Sequence, residues 1–256
     1  MNRESGATKA AVVVVSGPAT GLADRLAARL AEDGRPVGIV SPRGADVAAA
    51  VQAAGGNAIG VAAPPGDRPA LEAALGRCTG LGPVAAVVLA FHPPSAGRAR
   101  ELVSLSDEEW DAGCEAPIRS CLVGLQEAHH LLSDSGGAVV VVVPTVALVG
   151  ADGYVAATTS GEAQRILAKS AARRWGASGI TVNVAAVPLD ALDDAPDEAT
   201  GANPSGAAQL SLGPPALTPP DPAIGIASLV DALTGGLGGL VTGATVGLDG
   251  GAVMAP

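Results

Sequence analysis

The chain has 256 residues, 48% of them hydrophobic but only 2% aromatic, and a formal charge of −10. That length suits one large α/β domain, and a core so poor in rings must be built from Val, Leu, Ile and Ala, the composition of buried parallel strands. The acidic balance argues against a nucleic-acid partner, no run approaches the roughly 20 apolar residues of a membrane span, and the opening MNRESGATKA has no signal-peptide core, so a cytoplasmic location is expected.

Aliphatic runs alternate with helical patterns along the chain. AVVVV at 11–15, PVGIV at 36–40, NAIGV at 57–61 and PVAAVVLA at 83–90 read as strands. Leu22, Leu26 and Leu30 recur at helical spacing before Gly34 and Pro36, and residues 45–54 and 70–75 fill the next two connections. Ser106 and Glu109 form a capping-box pattern that opens a helix at Asp107, followed by helical residues 118–130 and the strand AVVVVV at 138–143. A helix over 159–175, ITVNVA at 180–185, a helix over 224–233 and ATVGL at 244–248 complete the order. Repeated βα units predict a single doubly wound domain spanning 1–256, with a seven-stranded parallel sheet flanked by helices. Residues 1–9 are expected to form a flexible tail, and the Pro- and Gly-rich stretch 189–222 a lid-like loop.

Cys78, Cys114 and Cys121 cannot all pair with one another, and neither they nor His129 and His130 have the spacing of metal ligands. No metal site is expected. Asp134-Ser135-Gly136-Gly137 reads as a turn before the next strand.

The turn Ser16-Gly17-Pro18-Ala19-Thr20-Gly21-Leu22-Ala23 is similar to the TGxxxGxG of the short-chain dehydrogenase/reductase (SDR) family, with Ala23 replacing the last glycine. Ser106 to Trp110 resembles that family's LSxExW, 179–183 its GIRVN strand, and Val241-Thr242-Gly243 with Asp249-Gly250-Gly251 its closing TG and DGG. The chain thus resembles the family almost from end to end, and in particular its 3-oxoacyl-carrier-protein reductases. The resemblance implies a Rossmann-type fold, a nicotinamide cofactor met at Ser16, Gly17, Gly21 and Leu22, and Arg43 as a partner for an NADP 2′-phosphate.

At the positions that perform family chemistry, the chain departs. Thr145 stands for the substrate-binding serine, Pro117 for the asparagine that holds a relay water, Thr158 for the tyrosine and Glu162 for the lysine. Composition supports this without any alignment. Four residues after the single tyrosine, Tyr154, comes Thr158, and four before Lys169, one of two lysines beside Lys9, comes Arg165, so no register contains Tyr-x-x-x-Lys. Leu89-Ala90-Phe91-His92 replaces Asn-Asn-Ala-Gly beside the cofactor, Pro64 falls near the expected adenine-contacting aspartate, and Val187-Pro188 takes the place of the Pro-Gly at the nicotinamide.

Loss of a positioned general acid alone removes roughly 10² to 10⁴ in rate. These departures imply a pseudoenzyme with no tightly bound cofactor and at most weak NADP binding. Family members assemble through the long helices beside the active site, and pairs of active and inactive subunits occur among them. The expected partners are therefore a second copy of the chain or an active SDR reductase, with a small-molecule or acyl-carrier-linked ligand. The alternatives are a non-redox cyclase, dehydratase or lyase using Glu162, Thr145, Thr158, Tyr154 or Asp152, and a nucleotide-sensing regulator.

Overall fold

Aliphatic runs become strands and the alanine-rich stretches between them helices. In this computed structural model, residues 9–17, 21–93, 98–192 and 214–254 are described. The order is β1 (Ala11–Ser16), α1 (Gly21–Glu32), β2 (Val37–Val40), α2 (Gly44–Ala53), β3 (Ala58–Val61), α3 (Arg68–Cys78) and β4 (Val84–Ala90). Then come α4 (Asp107–Trp110), α5 (Ala116–Leu132), β5 (Gly137–Pro144), α6 (Val155–Trp175), β6 (Ile180–Val187), α7 (Pro222–Thr234) and β7 (Thr245–Gly247). The strands form one parallel sheet in the order β3-β2-β1-β4-β5-β6-β7. Strand addition reverses between β1 and β4, which opens a crevice outside their carboxyl ends, where doubly wound sheets bind ligands.

Side chains alternate across the strands, so each strand feeds two cores. Val13, Val15, Val87 and Leu89 pack under α3, α5 and α6, while Val12, Val14, Val88 and Val140 pack under α1, α2 and α7. Fully burying an aliphatic side chain of this size stabilises the fold by roughly 1.5–3 kcal/mol, and dozens of them do so here without aromatic help.

Local signals set the helix boundaries. The Ser106 hydroxyl accepts from the Glu109 N–H at 3.2 Å while the Glu109 carboxylate accepts from the Ser106 N–H at 3.1 Å, completing the capping box. The Asp67 and Asp221 carboxylates cap α3 and α7 by accepting from the Ala70 and Ala223 N–H groups, without the reciprocal bond. Between α4 and α5 the chain makes a π turn over Asp111–Glu115, directly before Pro117. Proline offers no N–H and its ring crowds the carbonyl four residues back, so the widened turn accommodates it without breaking the helix. Several helices start earlier than their sequence pattern predicts, by two residues for α3, α5 and α7 and by four for α6, at Val155.

Of the expected lid over 189–222, residues 193–213 lie outside the described residues, as do residues 1–8 of the expected tail. The described beginning of that stretch is no loose loop, because Leu189 and Leu192 are fully buried around a 3-10 turn at Leu189–Ala191. Among the described residues, no helix is long and apolar enough to cross a membrane.

Candidate functional site

The long helix α6 lies over the carboxyl end of β5, and its periodicity decides which side chains reach that edge. Ala157, Ser160, Gly161, Gln164 and Ala168 form its buried face. Ala157 packs with Val146 and Tyr154, and a Cβ placed on Gly161 would stand 2.7 Å from the Ala147 Cβ and 3.0 Å from the Pro144 Cδ. The i, i+4 pair aimed at the sheet edge is therefore Ala157 and Gly161, one residue before the expected pair.

Thr158 and Glu162 are not brought there. The Thr158 hydroxyl donates back to the Tyr154 and Val155 carbonyls at 3.0 and 3.1 Å, a bond that serves its own helix. Glu162 lies on the outer flank, where Arg165 grips its carboxylate through two nitrogens and has its own pKa raised by that contact. Asp152 is exposed on the preceding loop. The alternative in which Asp152 and Glu162 share acid and base work finds no support in this arrangement. Helical spacing of the small residues at 157, 160, 161 and 168 was the sequence signal for this face, and it is sharper than the motif register.

Thr145 does reach the edge. It follows β5, is fully buried, and its hydroxyl has no hydrogen-bond partner. Pro117 is also buried but sits at the start of α5, with neither side-chain donor nor backbone N–H to hold a water. Tyr154 precedes α6, is 4% exposed, and lines a cavity of about 200 Å³ with Arg98, Arg100, Leu105 and Glu109. Its ring packs on Val146, Ala157 and Leu189.

Phe91 and His92 part company at the end of β4. The expectation that an aromatic ring stands beside the cofactor fails for Phe91. Phe91 turns into the α3–α5–α6 core, where Gly124 makes room: a Cβ there would come within 2.9 Å of the ring. Its carbonyl accepts from the Gln164 amide at 3.2 Å, a link from α6 to β4 that only the structure reveals. His92 is 3% exposed, its backbone carbonyl rather than its ring lies near Gly17, its Nε2 has no partner, and burial pushes its pKa down to about 4, so it is neutral at pH 7.

The cofactor positions are mixed. Ser16 ends β1 buried, the Gly17 N–H donates to the Ala90 carbonyl at 3.1 Å, and Gly21 opens α1. Leu22 points into the core, and residues 18–20 of the turn lie outside the described residues. Arg43 is exposed and paired with Asp24 at 3.5 Å, beside a groove of about 470 Å³ that also carries Glu32 and Asp46. With Asp24 already beside it, Arg43 offers a phosphate less than a free guanidinium would. Pro64 is exposed, Val187 ends β6 buried, and Pro188, at the position of the family's glycine, is half-buried. The described residues fit a tightly held dinucleotide poorly. Among them, no cluster of three or more His, Cys, Asp or Glu could hold a metal, and burial pushes the thiols of Cys78, Cys114 and Cys121 up to about 11, 11 and 12.

Sheet order and crevice define a Rossmann-type α/β protein. A family model described as short chain dehydrogenase matches residues 11–189, and the chain belongs to that family. A short-chain dehydrogenase from Burkholderia cenocepacia, solved in complex with NADP, is 28% identical with a TM-score of 0.74, covering 94% of this chain and 96% of that one. A Serratia marcescens short-chain dehydrogenase/reductase is 26% identical with a TM-score of 0.73, at 94% and 96% coverage. A 3-ketoacyl-ACP reductase from Sinorhizobium meliloti, 24% identical over 94% of this chain and 98% of that one, shares the fold with a TM-score of 0.75. No curated protein matches the chain.

Proposed function

We propose that this chain is a pseudoenzyme of the SDR fold, a structural or regulatory subunit for an active ketoreductase of its own family in acyl or polyketide-type metabolism of the cytoplasm. One observation carries the reading: the two α6 positions aimed at the sheet edge are Ala157 and Gly161, which can neither donate a proton nor steady a charge. Proton donation at a carbonyl contributes roughly 10² to 10⁴ in rate, about 3–5 kcal/mol of barrier, and neither Thr158 nor Glu162 faces the site to replace it. The Burkholderia relative holds NADP; here the pairing of Arg43 with Asp24 and the further carboxylate of Asp46 in the same groove support weak or absent binding.

Assembly is favoured by the outer faces of α5 and α6, where Leu122 and Ile166 stand 42% and 50% exposed and are suited to cover by a partner's helices. The test is co-expression with SDR reductases acting on acyl-carrier-linked or polyketide substrates. A stable heteromer with altered reductase activity is expected. A homo-oligomer indifferent to every reductase contradicts the partner role. A ligand-binding, non-redox role is the second reading, favoured by the unpartnered Thr145 and His92 atoms at the site.

A further inference from the structure

The amino ends of β4, β5 and β6 carry a groove at the opposite end of the parallel sheet from the crevice described above. It has a volume of about 360 Å³, and Val84, Ala138, Thr181, Leu233 and Gly239 are among the residues that line it. Its shape follows from the sequence. α7 stops at Thr234, before Gly235 and Gly236, and the turn that follows borders the strand starts with Gly238 and Gly239, which have no side chains to cover them. On the sheet side Gly136 and Gly137 have no room for larger residues, since a Cβ would lie 2.9 Å from the Gly179 carbonyl and 2.8 Å from that of Ala85.

Ala138 and Thr181 are register partners on β5 and β6, so their side chains stand side by side on the α7 face of the sheet. Ala138 is too short to cover its neighbour. Thr181 is 8% exposed, and its hydroxyl is buried without a hydrogen-bond partner. Such a hydroxyl has given up water with nothing in its place, and a polar atom entering the groove restores the bond.

The rest of the lining limits what that entrant is. The Thr234 hydroxyl accepts from Arg35 at 2.9 Å and donates to the Val230 carbonyl at 2.8 Å, while Ser135 donates to the Gly136 carbonyl at 3.1 Å. Among the described residues no ionisable side chain lines the groove. Arg35, which bonds Thr234 at its rim, is held by Asp231 and the Ala10 carbonyl. A charged ligand would lose its hydration here with no countercharge. What is left is one open hydroxyl, able to donate or accept, in a wall of glycine, alanine and aliphatic surface.

We propose that this groove at the amino edge binds a small, uncharged and largely apolar molecule through a single hydroxyl or carbonyl group bonded to Thr181. The apolar body lies against Val84, Ala138 and Leu233. The site is separate from the crevice at the carboxyl ends and stands whether or not that crevice holds a dinucleotide.

Protein labelled with ¹³C at the threonine methyls reports on the groove, the Thr181 signal being assigned by its loss in Thr181→Val. The probes are cyclohexanol and cyclohexanone at millimolar concentration, with cyclohexanecarboxylate and cyclohexylammonium as charged counterparts. The expected result is a saturable shift of the Thr181 methyl with at least one neutral probe, no shift with the charged ones, and no displacement by NADPH. In Thr181→Val, followed at the Thr234 methyl, binding weakens about fivefold, and in Ser135→Trp, a change at an exposed residue of the lining that fills the groove, it is lost. No shift with either neutral probe, an equal response to the charged probes, displacement by NADPH, or binding indifferent to both substitutions overturns the inference.

Discussion

The β6–β7 edge and the edge after β4 and β5 differ in what their residues do. Around the first, the family-like residues Asn183, Thr242, Asp249 and Gly250 each have a structural task. The Asn183 amide donates to the Val241 carbonyl at 3.0 Å and accepts from the Ala244 N–H at 3.1 Å, while the Thr242 hydroxyl accepts from Val182. Buried Asp249 accepts from the N–H groups of Gly251 and Val253, both at 3.0 Å, and Gly250 at φ +68 passes so near the Leu217 carbonyl that a Cβ would lie 2.3 Å from it. At the second region the positions that would move protons are held by Ala157, Gly161 and Pro117. The motifs that survive hold the fold, and those that are gone would move protons.

The contrast is sharpest where the first region is broken. Asp249→Ala strands two half-buried N–H groups that a buried carboxylate now satisfies, and a loss of about 3 kcal/mol in denaturant unfolding is expected. A loss below about 1 kcal/mol would show that this turn is not what retains the motif.

The second region responds to acid. His92 has a pKa of about 4 when folded against 6.5 as a free imidazole, so between those values the unfolded chain binds more protons. Stability therefore falls as pH drops from 6.5 toward 4, by roughly 3 kcal/mol in total, and this contribution levels off below pH 4. His92→Gln should flatten that part of the stability profile, and an unchanged slope would place the acid sensitivity elsewhere.

Rebuilding the dyad where the helix faces inward is a third test. Ala157→Tyr with Gly161→Lys forces a side chain against Ala147 and Pro144, so a destabilisation of about 2 kcal/mol is expected. No NADPH-dependent ketone reduction should appear, because Pro117 and His92 remain. Robust turnover would mean that the dyad alone was missing. The smallest effect belongs to Glu162→Gln, which removes one partner of a half-exposed pair and should change stability by less than about 0.5 kcal/mol.

Strand order, helix positions and the Ser106 capping box were legible in the sequence because aliphatic runs and caps are local signals. The site was legible only in outline. The motif register placed Thr158 and Glu162 at the edge, whereas the wrap of α6, started early at Val155, turns Ala157 and Gly161 there. Phe91 looked like an obstruction to cofactor because nothing in its own neighbourhood shows that Gly124, more than thirty residues later, opens a slot for its ring. The Gln164 link to Phe91 joins residues 73 apart and was invisible for the same reason.

The central claim is that the frame of a dehydrogenase persists around a site that has abandoned its cofactor. Fluorescence titration of the purified chain with NADPH tests it most directly. The account predicts no saturable signal until millimolar concentration, and saturable binding at micromolar concentration would contradict it.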